Sequence, residues 1–63
     1  MDNVQSNTVD RPAVEVVEAC GEWFVRVVED GKASTASFEL EAFALTFAEG
    51  QRIQLGLETI TRV

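Results

Sequence analysis

The sequence predicts an α+β fold, in which a three-stranded antiparallel meander carries one C-terminal helix on one of its faces. A segment rich in β-branched and aromatic residues is interrupted by the pairs Cys20-Gly21 and Asp30-Gly31, as is typical of hairpins. After Phe38 the apolar residues change to helical spacing. The chain has 63 residues, which is enough for a single domain.

The element boundaries follow from this punctuation. We expect strands over residues 13–20, 22–30 and 32–38, and a helix over residues 40–55. Residues 1–12, MDNVQSNTVDRP, are polar and lack periodicity, so they predict a disordered tail before a domain that covers residues 13–56. Residues 57–63 are expected to be extended or frayed.

The two turns fix the register of the strands. Asp30-Gly31 is a favoured pair for a two-residue type I′ turn, in which both central residues need positive φ, and Cys20-Gly21 is treated in the same way. The resulting cross-strand pairs are Glu29 with Lys32, Val27 with Ser34, Val25 with Ala36, Trp23 with Phe38, Glu18 with Trp23, Val16 with Val25, Glu15 with Arg26 and Val14 with Val27. Two of these pairs join opposite charges, and each is worth about 0.2 to 1 kcal/mol.

Alternation along the strands then divides the sheet into two faces. One face carries Val14, Val16, Trp23, Val25, Val27, Ala36 and Phe38. The other carries Ala13, Val17, Ala19, Phe24, Val28 and Ala33, interrupted by Glu15, Glu22, Arg26, Thr35 and Ser37. Because one helix can cover only one face, we expect the Phe24 face to stay open.

The helix is predicted to be amphipathic and to end at Gly56. Its apolar stripe contains Leu40, Phe43, Ala44, Phe47, Ala48, Gln51 and Leu55, with Glu41, Leu45, Glu49 and Arg52 on the opposite side. Burial of Leu40, Phe43 and Phe47 against the Trp23 face should contribute about 1.5 to 3 kcal/mol for each side chain.

A shorter helix is the alternative. Gly50 costs about 1 kcal/mol relative to alanine inside a helix, and no Ser, Thr, Asp or Asn stands at the expected cap beside Leu40. In this alternative the helix stops at Gly50 and RIQLGLETITRV forms a strand, since Ile53, Leu55 and Leu57 alternate.

Composition argues against several functions. The chain has five Lys and Arg against eleven Asp and Glu, and its net charge of −6 repels nucleic acid and anionic lipid surfaces. It contains neither histidine nor tyrosine, so the commonest general base is missing and nothing activates the lone Cys20 as a nucleophile. We therefore expect no enzyme activity and predict no catalytic residue, metal ligand or cofactor.

The chain is expected to be a soluble cytoplasmic protein without a membrane segment. No stretch approaches the roughly 18 apolar residues that span a bilayer, and the N-terminus lacks a basic segment followed by an apolar run. A lone cysteine fits a reducing compartment.

Self-association is the function that the sequence favours. A domain this small needs help from disulfides, metals, very good packing or oligomerisation, and one cysteine cannot form an internal disulfide. The residues expected to bind a partner, most simply a second copy, are Val17, Phe24, Arg26, Val28 and Ala33 on the open sheet face, with Ile53 on the helix. A second possible surface is the stripe Ala42, Thr46 and Gly50, flanked by Ile53 and Leu57, whose small residues would allow a partner helix to approach.

The order of elements resembles a known type of domain. The residues that carry the resemblance are Trp23, Val25, Asp30, Gly31, Lys32, Phe38, Ala44 and Phe47, within residues 13–55. They are similar to the small N-terminal arm-binding domains of phage-type tyrosine recombinases and to several short uncharacterised bacterial families. The resemblance implies a nucleic-acid-binding accessory domain whose open sheet face enters a DNA groove, with Arg26 on that face and Lys32 at the turn, beside Glu15 and Glu22. In this chain Leu40 replaces the Ser or Thr helix cap of that family.

Overall fold

The computed structural model describes residues 11–63 and confirms the predicted α+β fold. The elements are β1 (Ala13–Ala19), β2 (Glu22–Glu29), β3 (Lys32–Phe38), α1 (Glu41–Leu55) and β4 (Thr61–Arg62). The first three strands form the antiparallel meander, and α1 packs across one of its faces. The predicted tail, residues 1–12, falls mostly on residues 1–10, which lie outside the described residues.

Both hairpins close with two-residue turns in which the central residues have positive φ. Cys20 and Gly21 have φ of 54° and 81°, and Asp30 and Gly31 have φ of 55° and 74°. Such turns match the right-handed twist of the strands they connect. Every cross-strand pair derived from the two turns is present, including Glu15 opposite Arg26 and Trp23 opposite Phe38.

The helix runs without interruption past Gly50, so the alternative in which it stops there is wrong. Leu40 is the N-cap residue, and its side chain makes no capping hydrogen bond. Gly56 adopts the left-handed conformation with φ of 73° and ends the helix as predicted. Its N–H donates to the Ile53 carbonyl, and the Leu57 N–H donates to the Arg52 carbonyl, so two carbonyls of the last turn are paired within the chain.

A short fourth strand extends the sheet to the order β3-β2-β1-β4. In this strand Thr61 and Arg62 pair with Glu15 and Val16 of β1 in a parallel arrangement, and the Val63 N–H donates to the Val16 carbonyl over 2.9 Å. Of the two states expected for residues 57–63, the extended one is therefore present at the end of the chain.

Arg52 holds the connection between α1 and β4. Its guanidinium binds both carboxylate oxygens of Glu49, at 3.0 and 2.6 Å, and donates to the Leu57 carbonyl over 2.8 Å. The hydrogen bonds from Arg52 hold the pKa of Glu49 below its usual range. Leu57 and Ile60 are thereby placed against the core.

The core lies between the sheet and the helix. Its buried members are Val14, Val16, Val25, Val27, Ala44 and Ala48, and Trp23, Phe38, Leu45, Phe47, Leu55, Leu57 and Ile60 pack around them. Ala44 and Ala48 are completely buried, because the helix approaches the sheet most closely where its side chains are small.

The contacting side of the helix differs from the predicted stripe. Leu40 and Phe43 were expected to be buried, but 55% and 60% of their surfaces are exposed. Leu45, which was expected on the outer side, packs against the core instead. The helix is rotated about its axis relative to the prediction, so that Ala44 and Ala48 lie at the centre of the contact and Phe43 lies outside it.

The two glycines of the helix region should respond in opposite ways to alanine. A Cβ atom at Gly50 or at Gly56 would meet no other atom within 4 Å, so the effect of alanine on stability depends on backbone preference alone. Gly50→Ala should raise the free energy of unfolding by about 0.5 to 1 kcal/mol, because Gly50 lies inside the helix. Gly56→Ala should lower it by about 1 to 2 kcal/mol, because φ is positive there. Urea unfolding followed by circular dichroism measures both, and equal shifts of the same sign would contradict this account.

Candidate interaction surfaces

The sheet face opposite the helix, called the open face here, carries five of the six residues predicted to bind a partner. Val17 and Phe24 are half-buried and Ala33 is exposed. Val28 was expected to be exposed, but only 3% of its surface is accessible, so this expectation is wrong. Val28 lies in the central strand β2 between Ala13 of β1 and Ala33 of β3, and it does not belong to the core on the helix side.

An ion pair crosses the open face. The Arg26 guanidinium donates to the Glu15 carboxylate over 3.1 Å, and both side chains are partly exposed. Exposed pairs of this kind contribute at most about 1 kcal/mol. Among residues 11–63, Arg26 is the one Lys or Arg within the strands whose side chain points to this face, and its charge is balanced by Glu15. The face therefore offers little net positive charge to a phosphate backbone.

The exposed side of α1, called the outer helix surface, carries larger unburied side chains than the open face. It consists of Ala42, Phe43, Thr46, Gly50 and Ile53, together with Leu40 at the N-cap. Leu40, Phe43 and Ile53 are exposed over 55%, 60% and 63% of their surfaces. The Thr46 hydroxyl donates to the Ala42 carbonyl over 2.9 Å, so its hydrogen-bonding need is met within the helix. Single exposed apolar residues are common on proteins, but Phe43 and Ile53 share one exposed side of a short helix, and Leu40 is exposed just before its start.

The two flanks of the helix point to opposite edges of the sheet. On one flank the Phe47 ring packs against Phe38 of β3, with 5.4 Å between ring centroids. Phe43 precedes Phe47 by four residues, and Gly50 follows it by three. At 100° per residue the three positions therefore lie within an arc of about 60° around the helix axis. On the other flank Glu41 binds Arg62 of β4 over 2.8 Å, and this guanidinium lies 5.8 Å from the Trp23 ring centroid. Phe43 is thus exposed on the flank that faces β3.

Sequence reasoning found Ile53 as an exposed interaction residue but assigned Leu40 and Phe43 to the core. Both sit at the start of α1, where helical spacing alone allowed them to belong to the buried stripe. The signal that helical spacing leaves out is side-chain volume. The small side chains of Ala44 and Ala48 permit close contact between the helix and the sheet. Phe43, which directly precedes Ala44, therefore lies beside the contact between helix and sheet and not within it.

The described residues show no assembled reactive centre. Cys20 is a free, exposed thiol in the β1–β2 turn. Residues 11–63 contain no group of three or more His, Cys, Asp or Glu side chains placed to hold a metal ion. No helix in this part of the chain has the length and apolar content needed to cross a membrane.

Comparison of the chain with protein-family models, with curated proteins and with solved structures finds no match. The resemblance to recombinase arm-binding domains therefore stays a prediction from Trp23, Asp30, Gly31 and the residues that accompany them.

Proposed function

We propose that this chain is a small self-associating interaction module of the cytoplasm, which forms a homodimer through the outer helix surface and has no catalytic activity of its own. The observation that carries the proposal is the exposure of Phe43 and Ile53 on a helix of 15 residues and of Leu40 at its N-cap, each open over more than half of its surface. Apolar surface of this kind is stabilised by removal from water.

Burial on the two surfaces favours the helix over the open sheet face. Phe24 and Val17 are already half-buried and Val28 is inaccessible, so the open face has less apolar area to lose on association. A partner on that face would also have to cover the Glu15–Arg26 ion pair, and covering charges costs free energy. Phe43 still has more than half of its surface to lose on association.

Nucleic-acid binding through the open face is the alternative function, and the charges argue against it. Arg26, Arg52 and Arg62 each bind a carboxylate of the chain, which leaves few cations to release counterions from a phosphate backbone. A gel-shift titration at low salt, where electrostatic attraction is strongest, should detect no complex.

The test compares the same substitution on the two surfaces. Phe43→Glu should weaken the dimer at least roughly 30-fold, because a buried aromatic anchor at an interface is worth about 2 kcal/mol or more and a carboxylate cannot replace it. Sedimentation velocity across a concentration series measures the dissociation constant.

Phe24→Glu is the matched control, since it places the same charge on the open face. It should leave the dissociation constant within a few-fold of the wild type, with circular dichroism to show that both variants are folded. The reverse pattern, in which Phe24→Glu alone abolishes the dimer, would move the interface to the open face and contradict the proposal.

A further inference from the structure

Strand β3 is the edge of the sheet, with β2 as its one strand neighbour among residues 11–63. The type I′ turn makes Glu29 and Lys32 a hydrogen-bonded pair, and such pairs alternate along an antiparallel ladder. The even-numbered residues of β3 therefore direct their backbone groups toward β2. The N–H and C=O groups of Ala33, Thr35 and Ser37 point away from β2, toward the free edge.

Apart from Lys32 at its start, this edge lacks the devices that usually prevent strand pairing. Natural edge strands carry charges, prolines or bulges that block the approach of another strand. Residues 33–38, ASTASF, contain no charge and no proline, and each residue of β3 pairs with one residue of β2, so there is no bulge. The side chains around the free backbone groups are small, which allows close approach.

We propose that β3 pairs antiparallel with β3 of a second copy about a two-fold axis at Thr35, which joins the two sheets into one of eight strands. This inference rests on the proposed self-association and adds a backbone contact beside Phe43. Thr35 would exchange two N–H···O=C bonds with Thr35 of the second copy. Ala33 of each copy would do the same with Ser37 of the other.

The charges at the two ends of β3 select the antiparallel arrangement. Lys32 begins the strand and Glu39 directly follows its last residue, Phe38. Pairing centred on Thr35 places Lys32 opposite Phe38 of the second copy, and it places the second copy's Glu39 opposite Gly31, between Asp30 and Lys32. A parallel arrangement would instead bring like charges together at both ends, which is unfavourable.

The same pairing gives the exposed start of the helix a place to bind. An open pocket of about 480 Å³ lies at the β2–β3 turn and is lined by Val27, Glu29, Asp30, Lys32, Ala33 and Ser34. Antiparallel pairing brings this pocket beside the Phe38 end of the second copy. Leu40 and Phe43 lie exposed at that end, because α1 begins there. Phe43 of each copy would then cover the pocket of the other.

The area involved indicates a weak dimer. The seven residues of β3 present an edge about 23 Å long and about 10 Å wide. Phe43 adds roughly 100 to 150 Å² of exposed surface, taking 60% of a full aromatic side chain. The sum, roughly 350 Å² per copy, is less than half of the roughly 800 Å² per copy of a standard stable interface, so we expect a weak, transient dimer.

The first test removes one outward N–H of the edge. Thr35→Pro should leave the β2–β3 ladder intact, because the Thr35 N–H does not point to β2, and proline is tolerated on edge strands. It should weaken the dimer at least roughly 30-fold, as expected for blocked backbone pairing. Thr35→Ala, which keeps the N–H, should stay within a few-fold of the wild type. Sedimentation velocity measures both variants.

The second test reads the register and does not depend on the proline variant folding. In a Cys20→Ser background, Thr35→Cys should form a disulfide-linked dimer under mild oxidation, because paired Cα atoms about 5.5 Å apart suit a disulfide. Ser34→Cys is the control, since position 34 would lie opposite position 36 and its two sulfur atoms would be too far apart.

The outcomes separate this inference from the proposed function. A dimer lost in Thr35→Pro but kept in Thr35→Ala, with cross-linking at position 35 only, supports the paired edge. A dimer unaffected by Thr35→Pro, without cross-linking at position 35, overturns the paired edge, and the Phe43→Glu result then decides the proposed function alone. A wild type that stays monomeric overturns both.

Discussion

Val25→Ala should leave a large fraction of the protein molecules unfolded. Val25 is fully buried at the centre of β2, between Val16 and Ala36, and belongs to the cluster that contains Ala44 and Ala48. Losing its two methyl groups should lower the free energy of unfolding by about 2 to 3 kcal/mol, through lost burial and the cavity left behind. A domain below about 70 to 80 residues rarely has more than about 3 to 5 kcal/mol in total.

Urea unfolding followed by the fluorescence of Trp23, the single tryptophan, measures this loss at a protein concentration low enough to keep the chain monomeric. Val17→Ala is the matched control, because Val17 lies on the open face and is half-buried. Val17→Ala should lower the free energy of unfolding by less than half as much as Val25→Ala. Equal losses at Val17 and Val25 would contradict the assignment of the core to the helix side.

Ala48→Leu should destabilise the protein because it overfills the core, whereas Val25→Ala leaves a cavity there. Ala48 is fully buried at the closest approach of helix and sheet, and a larger side chain would push the two apart. Overpacking of this kind costs about 1 to 3 kcal/mol. The same unfolding measurement applies.

Ala42→Leu provides the comparison, because Ala42 is exposed on the outer helix surface and leucine is a good helix former. It should change the free energy of unfolding by less than about 0.5 kcal/mol. A stable Ala48→Leu variant would mean that the helix does not contact the sheet through its alanines.

The strands could be predicted in detail because their geometry is local. Two turns whose residues accept positive φ determine the register of β1, β2 and β3, and a period of two then assigns every side chain to a face. The end of α1 was predictable for the same reason, since Gly56 is suited to a left-handed C-cap.

The features that sequence reasoning missed depend on tertiary contacts. Strand β4 has two residues, and an extended segment was expected there, but its parallel pairing with β1 was not. The rotation of α1 follows from the small volume of Ala44 and Ala48, whereas hydropathy gives more weight to Phe43. Val28 is likewise inaccessible, although the alternating pattern places it on the face opposite the helix.

These missed features changed which surface is the better candidate for a partner. Once Phe43 leaves the core and Val28 enters the protein interior, the outer helix surface has more exposed apolar area than the open face. The edge of β3 lies on the same side of the molecule as Phe43, as the contact between Phe38 and Phe47 indicates. The helix and the edge strand can therefore belong to one interface.

The mass of the wild-type protein in solution tests the central claim most directly. Sedimentation equilibrium from low to high micromolar concentration should show a rise from the monomer mass of 6.9 kDa toward twice that value. A mass that stays at 6.9 kDa over the whole range, with the protein folded, would contradict self-association through Phe43 and the β3 edge.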